Sequence, residues 1–335
     1  MVSADTLPAV VFTAIDRRRA LLERLHQEQT DCYRLFHGAV EGRPGLAVDR
    51  YGPVLLVQSW GDGPPQDEVE AMAAVARDAL GAELQLAWNI RVQGRRVDGG
   101  LPGPEELLIE GRELGVTYDV RPRGRKLDPP LFLDLRAGRR RVMAEARGLT
   151  VLNMFAYTCG LGVVAGVGGA SSVTNVDFSS SVLEIGRANA LRNGLDLSRF
   201  QCIACDGLVA LRQLAGLPIK GRARHRREYP RIEPRQFDLV LLDPPGWSKG
   251  PFGAVDLVRD YPAVLKPAVL ATREGGALLI TNNVASVELE PWIEIVRACA
   301  RKAGRNIRAL EVISPEEDFP SPDERPPLKM LWLSV

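Results

Sequence analysis

Val151-Leu152-Asn153-Met154-Phe155-Ala156-Tyr157-Thr158-Cys159-Gly160-Leu161-Gly162 is the stretch on which the fold turns. The apolar run from Val151 to Phe155 reads as a strand, and it breaks into a turn with spaced glycines at 160 and 162. A helix of small residues is expected over 163–169. A second strand then runs through Ser172-Val173-Thr174-Asn175-Val176 and ends in Asp177. Strand, glycine turn, helix, strand and terminal acid let backbone approach a ligand and offer a carboxylate to a pair of ribose hydroxyls. The layout points to a nucleoside-bearing cofactor. The turn alone does not decide it, because Thr158 and Leu161 depart from the full dinucleotide fingerprint and a tight turn without a ligand fits the hexapeptide equally well. Asp177 adds weight, since a carboxylate is costly to bury without a donor.

A second motif adds more. Phe237-Asp238-Leu239-Val240-Leu241-Leu242 reads as a buried parallel strand, with Asp243-Pro244-Pro245-Gly246-Trp247 at its carboxyl end. Ligands of open parallel sheets bind at that edge. Two prolines remove two donors and fix φ, so the chain leaves the strand as a stiff turn that aims carbonyls and the Asp243 carboxylate at a planar polar substrate. Trp247 offers a face for a base to stack on. A proline-stopped strand with a core tryptophan is the bland alternative.

With these motifs in place, the chain resembles the class I S-adenosylmethionine-dependent methyltransferases, and within them the ribosomal RNA large-subunit methyltransferases of the RlmI and RlmK type. The resemblance runs from about Tyr33 to the C-terminus. It is carried by residues 33–38 (YRLFHG), 42–52 (GRPGLAVDRYG), 131–140 (LFLDLRAGRR), the glycine turn, and Asp243 to Ser248. It implies S-adenosylmethionine as cofactor. Asp177 would hold the ribose hydroxyls and Asp206 the adenine amino group, with Phe178 and Gly207 beside them. The loop with Asn153, Phe155, Tyr157, Thr158 and Gly160 would wrap the methionine part, and Phe132, Asp134 and Arg136 would close over the cofactor. Asp243, Pro244, Pro245 and Trp247 would form the catalytic edge, with Asp243 also reaching the cofactor.

Relatives that make 5-methylcytosine attack the ring with a cysteine, often in a Thr-Cys-Ser stretch after the fifth strand. Here that stretch is Leu279-Ile280-Thr281-Asn282-Asn283. Carbon methylation needs such a nucleophile, whereas a nucleobase nitrogen needs mainly orientation and desolvation. That argues for a nitrogen, and the pair Asn282-Asn283 resembles the guanine-modifying RlmK type, so a guanine nitrogen is favoured over carbon 5 of cytosine. Three alternatives stay open: a small-molecule or protein acceptor for the same methyl group, a nicotinamide-dependent oxidoreductase, and a non-catalytic RNA- or cofactor-binding scaffold.

The balance of Lys and Arg over Asp and Glu leaves a formal net charge of only +1, so RNA would have to be gripped by local clusters rather than by the whole surface. One cluster is Arg121, Arg123, Arg125 and Lys126, continuing to Arg136, Arg139, Arg140 and Arg141. It leads toward the expected cofactor lid and is the one assigned to phosphate contacts. Another spans Lys220 to Arg235 and enters a strand from the opposite end, so it suits a remote grip or a solvated loop. Five cysteines and three scattered histidines give no zinc-site spacing, and Cys202 and Cys205 read as core residues, so no metal is expected. No run approaches a membrane span and no signal segment opens the chain, which points to the cytoplasm. A homodimer is compatible with a chain of this kind.

The expected architecture is α/β. A small N-terminal α+β domain (1–128), assigned to substrate or RNA binding, precedes a Rossmann-like, doubly wound, mostly parallel sheet (129–335). In the first part a helix is expected over 11–27 and another over 67–79, with strands at 32–36, 45–48, 54–60, 84–90 and 116–120. In the second, a helix over 180–193 and an antiparallel last strand after a Pro- and acid-rich loop complete the pattern. The shared region begins so early that the PUA domain of RlmI-type relatives is expected to be absent.

Overall fold

Leu7, Val11, Ala14 and Ile15 recur at helical spacing and are buried together, which fixes the inner face of α1 (Leu7–Arg17). The structure is a computed structural model that describes residues 6–92, 95–100, 108–122, 129–219, 228–250 and 253–335. Its chain divides into two units: residues 1–136 with 316–324, and residues 137–315 with 325–335.

In the first unit the helix expected over 11–27 is two helices, α1 and α2 (Arg19–Gln27). The break falls at Arg18, whose guanidinium turns inward to donate to Ala14 O at 3.0 Å and to the Glu41 carboxylate. A five-stranded sheet follows in the order β1 (Cys32–His37), β2 (Leu46–Tyr51), β3 (Val54–Asp62), β4 (Gln85–Val92), β5 (Arg95–Gly99). Only β3 and β4 are parallel, joined through α3 (Gln66–Leu80). The helices bury Val11, Ile15, Leu25 and Met72 in one core with Leu35, Val48, Leu55 and Val57 from the sheet. A hairpin, β6 (Glu110–Glu113) and β7 (Val116–Asp119), turns on Leu114 and Gly115, both left-handed (φ 55° and 75°) as a twisted two-residue turn requires.

The second unit alternates strands and helices: α4 (Arg136–Glu145), β8 (Thr150–Met154), α5 (Gly160–Val167), β9 (Ser172–Asp177), α6 (Ser180–Arg192), β10 (Phe200–Ala204), α7 (Gly207–Leu214), β11 (Phe237–Leu242). A small hairpin of β12 (Trp247–Gly250) and β13 (Gly253–Asp256) comes next, then α8 (Pro262–Ala271), β14 (Thr272–Asn282), α9 (Leu289–Lys302), β15 (Ala309–Ile313) and β16 (Lys329–Ser334). The sheet order is β10-β9-β8-β11-β14-β16-β15. The first five strands are parallel, and β16 runs antiparallel to both its neighbours. Leu152, Val240 and Leu278 are buried side by side across β8, β11 and β14, with Val151 beside Leu239 and Leu241 beside Leu279, as strands covered on both faces require. Behind them Trp292 meets Tyr261 edge-on, 5.4 Å between centroids at 88°.

The boundary expected at 128/129 falls instead after Arg136, and residues 316–324 of the C-terminal segment belong to the first unit. Arg136 explains this. Its fully buried guanidinium reaches Glu113 (3.3 Å), Glu316 (3.0 Å) and Asp318 (2.9 Å), as well as Cys32 O (2.9 Å). No helix among the described residues is long and apolar enough to cross a membrane.

Candidate functional site

Strand order reverses between β8 and β11, so the carboxyl ends of β8, β9, β10 and β11 flank the crevice where open α/β sheets take ligands. The loop leaving β8 is wound through three left-handed non-glycine residues, Phe155 (φ 57°), Tyr157 (φ 49°) and Cys159 (φ 61°). Each such residue costs about 1–3 kcal/mol and persists only where its surroundings over-determine it. Here they do. Ala156 N donates to Val176 O (3.0 Å), Tyr157 N to Asp177 Oδ2 (2.9 Å), and Cys159 N to Ala156 O (2.7 Å).

Below the loop an amide relay crosses three strands. Asn153 Nδ2 donates to Asn175 Oδ1 (2.9 Å), and Asn175 Nδ2 donates to Gln201 O (3.1 Å). Gly162 brings the first turn of α5 down onto it, since a Cβ there would lie 2.0 Å from Asn175 Oδ1. Asn153, expected to touch a cofactor, is 1% exposed with its amide engaged in this relay, so it supports the loop from beneath.

Asp177 is 8% exposed at the end of β9. Its carboxylate accepts backbone N–H groups from Tyr157 on Oδ2 (2.9 Å), from Ser179 on Oδ1 (3.0 Å) and from Phe178. Burial raises its pKa above the ordinary value, with the N–H donors opposing. A carboxylate has about four acceptor sites, so this one retains capacity for further donors. The next residue, Phe178, leaves its ring 82% exposed. Asp206, after β10, caps α7: Leu208 N (3.0 Å) and Val209 N (3.2 Å) both donate to Oδ1. A Cβ at Gly207 would lie 2.5 Å from the Phe155 ring, so a glycine lets that ring close against the cap.

At the end of β11, Asp243 Oδ1 accepts from the Thr281 hydroxyl, and Thr281 O in turn accepts from Tyr261 Oη (3.0 Å). Pro244 is buried and Pro245 exposed. Trp247 opens the β12–β13 hairpin, opposite Asp256, with 65% of its surface exposed, so it is no core tryptophan.

A family model for S-adenosylmethionine-dependent methyltransferases matches residues 108–334. Ribosomal RNA large subunit methyltransferase I of Aeromonas salmonicida is 31% identical over 297 residues, covering 86% of this chain and 70% of that protein. The chain belongs to the S-adenosylmethionine-dependent methyltransferase family. Two solved structures share its fold. One, from Streptococcus mutans and described as such a methyltransferase, has a TM-score of 0.78 at 22% identity over 98% of this chain and 80% of that one. The other, the methyltransferase of Agrobacterium tumefaciens, has a TM-score of 0.60 at 20% identity over 87% and 86%.

The methyltransferase therefore works with S-adenosylmethionine, which supplies an activated methyl group on a sulfonium. The donor set suits that molecule: a buried carboxylate with acceptor capacity, an exposed ring on the residue after it, a second acid at the next strand end, and a preformed loop. Among the described residues no three His, Cys, Asp or Glu side chains are grouped as a metal would need.

In the first unit, Phe132 and Asp134 are half-buried around the short 3-10 turn Leu133–Leu135. Arg136, expected over the cofactor, is committed to the carboxylates already described. Arg121, expected on an exposed basic face, is buried, and Nε and Nη2 of its guanidinium have no partner among the described residues. Arg123, Arg125 and Lys126 lie outside the described residues, as do Lys220 to Arg227. Further along the first cluster, Arg139 is buried and Arg141 lies over the Trp332 ring at 5.0 Å. The described members thus form no continuous exposed patch. Thr281 and Asn175 shape the site without having been assigned a role from the sequence, where Thr281 appeared only as the residue ahead of the absent cysteine; Gly162 was already part of the glycine turn.

Proposed function

We propose that this methyltransferase modifies a nucleobase of large-subunit ribosomal RNA, at a nitrogen, with guanine favoured over carbon 5 of cytosine. One observation carries the choice of atom: β11 and β14 end in Asp243-Pro244-Pro245 and Thr281-Asn282-Asn283, with no thiol at either strand end. Addition to a cytosine ring needs a thiolate there. The chain's cysteines stand elsewhere, and burial pushes Cys205 and Cys299 up to about 11. The Aeromonas relative, named for ribosomal RNA, supports RNA as the acceptor.

In this reading Asp177 takes the ribose hydroxyls on its remaining acceptor sites. Asp206 takes the adenine amino group on Oδ2, since both cap bonds fall on Oδ1. Phe155, Tyr157, Thr158 and Gly160 surround the methionine part, with Phe178 and Gly207 on the adenosine side. Asp243, oriented by the Thr281 hydroxyl, accepts an N–H of the base and orients the nitrogen that receives the methyl group. Pro244 and Pro245 stiffen that turn, and Trp247 stacks on the ring. Arg123, Arg125 and Lys126 contact phosphates.

The test is incubation with methyl-labelled S-adenosylmethionine and total RNA from a strain lacking the protein, followed by nucleoside analysis. Label in a methylguanosine is expected. Label in 5-methylcytidine would overturn the nitrogen assignment, and label only in protein or small molecules would overturn the RNA reading.

A further inference from the structure

Asn282 is the last residue of β14, the strand hydrogen-bonded beside β11, which delivers Asp243-Pro244-Pro245 at the same edge. Its side chain is 0% exposed. Oδ1 accepts from Val284 N at 3.0 Å, and this settles the amide's orientation, because a flipped amide would set its NH2 against that backbone N–H. Nδ2 is then a buried donor, and no acceptor among the described residues lies within hydrogen-bond distance. The chain around it is tied down on every side. Thr281 bonds Asp243 and Tyr261, and the buried Lys329, opposite Asn282 in the ladder, donates from Nζ to Val284 O (2.9 Å) and Pro327 O (2.7 Å). Trp292 Nε1 is also a buried donor with no partner among the described residues, but it lies within α9; Asn282 Nδ2 stands at the strand edge where open α/β sheets take ligands, and that place points to a partner from outside the chain.

We propose that Asn282 Nδ2 reads the target base, donating to a ring nitrogen or carbonyl oxygen adjacent to the N–H that Asp243 accepts. This rests on the nucleobase reading given above. An acceptor at Asp243 next to a donor at Asn282 selects a base edge that presents an N–H beside an acceptor. A base that presents no acceptor leaves the amide orphaned and is rejected on that ground. Asn282 is in this sense a specificity-determining residue, at the position where a nucleophilic thiol would stand in a carbon methylating relative.

Full-length wild type, Asn282→Asp, Asn282→Ala and Asn282→Ser are compared in initial rates of label transfer to total RNA from a strain lacking the protein. S-adenosylhomocysteine affinity is measured by calorimetry alongside. Asn282→Asp keeps the shape and replaces the donor by an acceptor, while Asn282→Ser keeps a donor. The expected result is S-adenosylhomocysteine affinity within two-fold of wild type for all, with kcat/KM lowered about 10- to 100-fold in Asp and Ala and less in Ser. Transfer by Asn282→Asp within three-fold of wild type overturns the proposal. So does an earlier melting temperature with an unchanged rate, which would mark an amide satisfied by buried water. A parallel loss of S-adenosylhomocysteine affinity and rate would place the residue with the cofactor and also overturn it. Absence of transfer to RNA by the wild type, with S-adenosylhomocysteine bound, instead sinks the RNA reading itself.

Discussion

Replacing Gly162 by alanine probes the contact that holds the cofactor loop in place. The new Cβ would sit 2.0 Å from Asn175 Oδ1, 3.0 Å from its Cγ and 3.2 Å from Asn153 Nδ2. Relief by side-chain motion needs the Asn175 amide to retreat by about 1.2–1.5 Å to ordinary contact. That motion breaks its bonds to Asn153 Nδ2 and Gln201 O, and both amides are buried, so water cannot replace them. Two orphaned groups at about 1–3 kcal/mol each set the upper route. The lower route shifts α5 away from the sheet, at about 1–3 kcal/mol for overpacking. The chain takes the cheaper mixture, so the expected loss is about 2 kcal/mol, or roughly 6 °C in Tm for a unit of this size. Urea and thermal unfolding read it directly. Gly162→Ala combined with Asn175→Ser removes the colliding oxygen, and the pair should show a coupling of about 1 kcal/mol or more. A Tm shift below 2 °C for Gly162→Ala, or strict additivity in the pair, would show that the close seat of α5 on Asn175 does not hold the loop.

Asp243→Asn is expected to lower methyl transfer at least about 100-fold while leaving S-adenosylhomocysteine affinity within a few-fold, as calorimetry and label transfer can check together. Asp177 gives a pH signature. Because burial raises its pKa, the folded chain keeps the proton to a higher pH than a free carboxylate, and ionisation lowers the stability of the cofactor-free protein as pH rises through that value. Ribose hydroxyls favour the ionised form, so S-adenosylhomocysteine affinity should be flat near neutrality and fall on acidification above the usual carboxylate range. Asp177→Ala should bind weakly without that limb, and a wild-type limb no higher than for a free carboxylate would exclude Asp177 as its source. Arg136→Leu should destabilise the first unit by about 3–5 kcal/mol, since it strands the buried Glu113 and Asp318 carboxylates. Asp318→Asn should cost less, because Arg136 retains two acids. Equal losses in urea unfolding would show that Asp318 matters as a charge and not as one acceptor among several.

Asp243 stood out because it follows an apolar run that reads as a buried strand, whereas β9 and β10 are mixed in composition, so Asp177 was marked by the strand, turn, helix, strand layout and Asp206 by the resemblance alone. What escaped has physical reasons. β5 reads Arg95-Arg96-Val97-Asp98-Gly99 and carries no alternation of apolar and polar positions, so its backbone pairing with β4 leaves no trace in composition. The break at Arg18 depends on Glu41, twenty-three residues away, and the segment 316–324 depends on Arg136, one hundred and eighty away. Pairings at such distance are invisible to local periodicity. The arginines after residue 120 looked like a basic face because a charged side chain suggests solvent. Arg136 and Arg139 are inside, with Arg136 held by three acids drawn from two separate stretches. Asn153 was placed at the cofactor by the resemblance, and the partner of its side-chain amide across the sheet, Asn175, leaves no local signal in the sequence.

The loop from Phe155 to Cys159 shows why the least legible feature is the one on which function rests. No sequence rule assigns left-handed φ to Phe, Tyr and Cys, for which it is unfavourable. The recurrence of positive φ at every second residue nonetheless has a consequence that a relaxed loop would lack. It turns the successive N–H groups of Ala156 and Tyr157 toward β9, so that the loop and Asp177 fix each other. The strain is balanced from below by the Asn153–Asn175–Gln201 relay and by the close seat that Gly162 gives α5. Those residues contact no ligand in this account, yet they determine whether the loop is already shaped when a ligand arrives. A site built this way does not have to order its loop on binding, so the free energy of cofactor contacts goes into affinity rather than into ordering. That is why changes to the buried amides should register first as lost stability, and changes to Asp177 first as lost affinity.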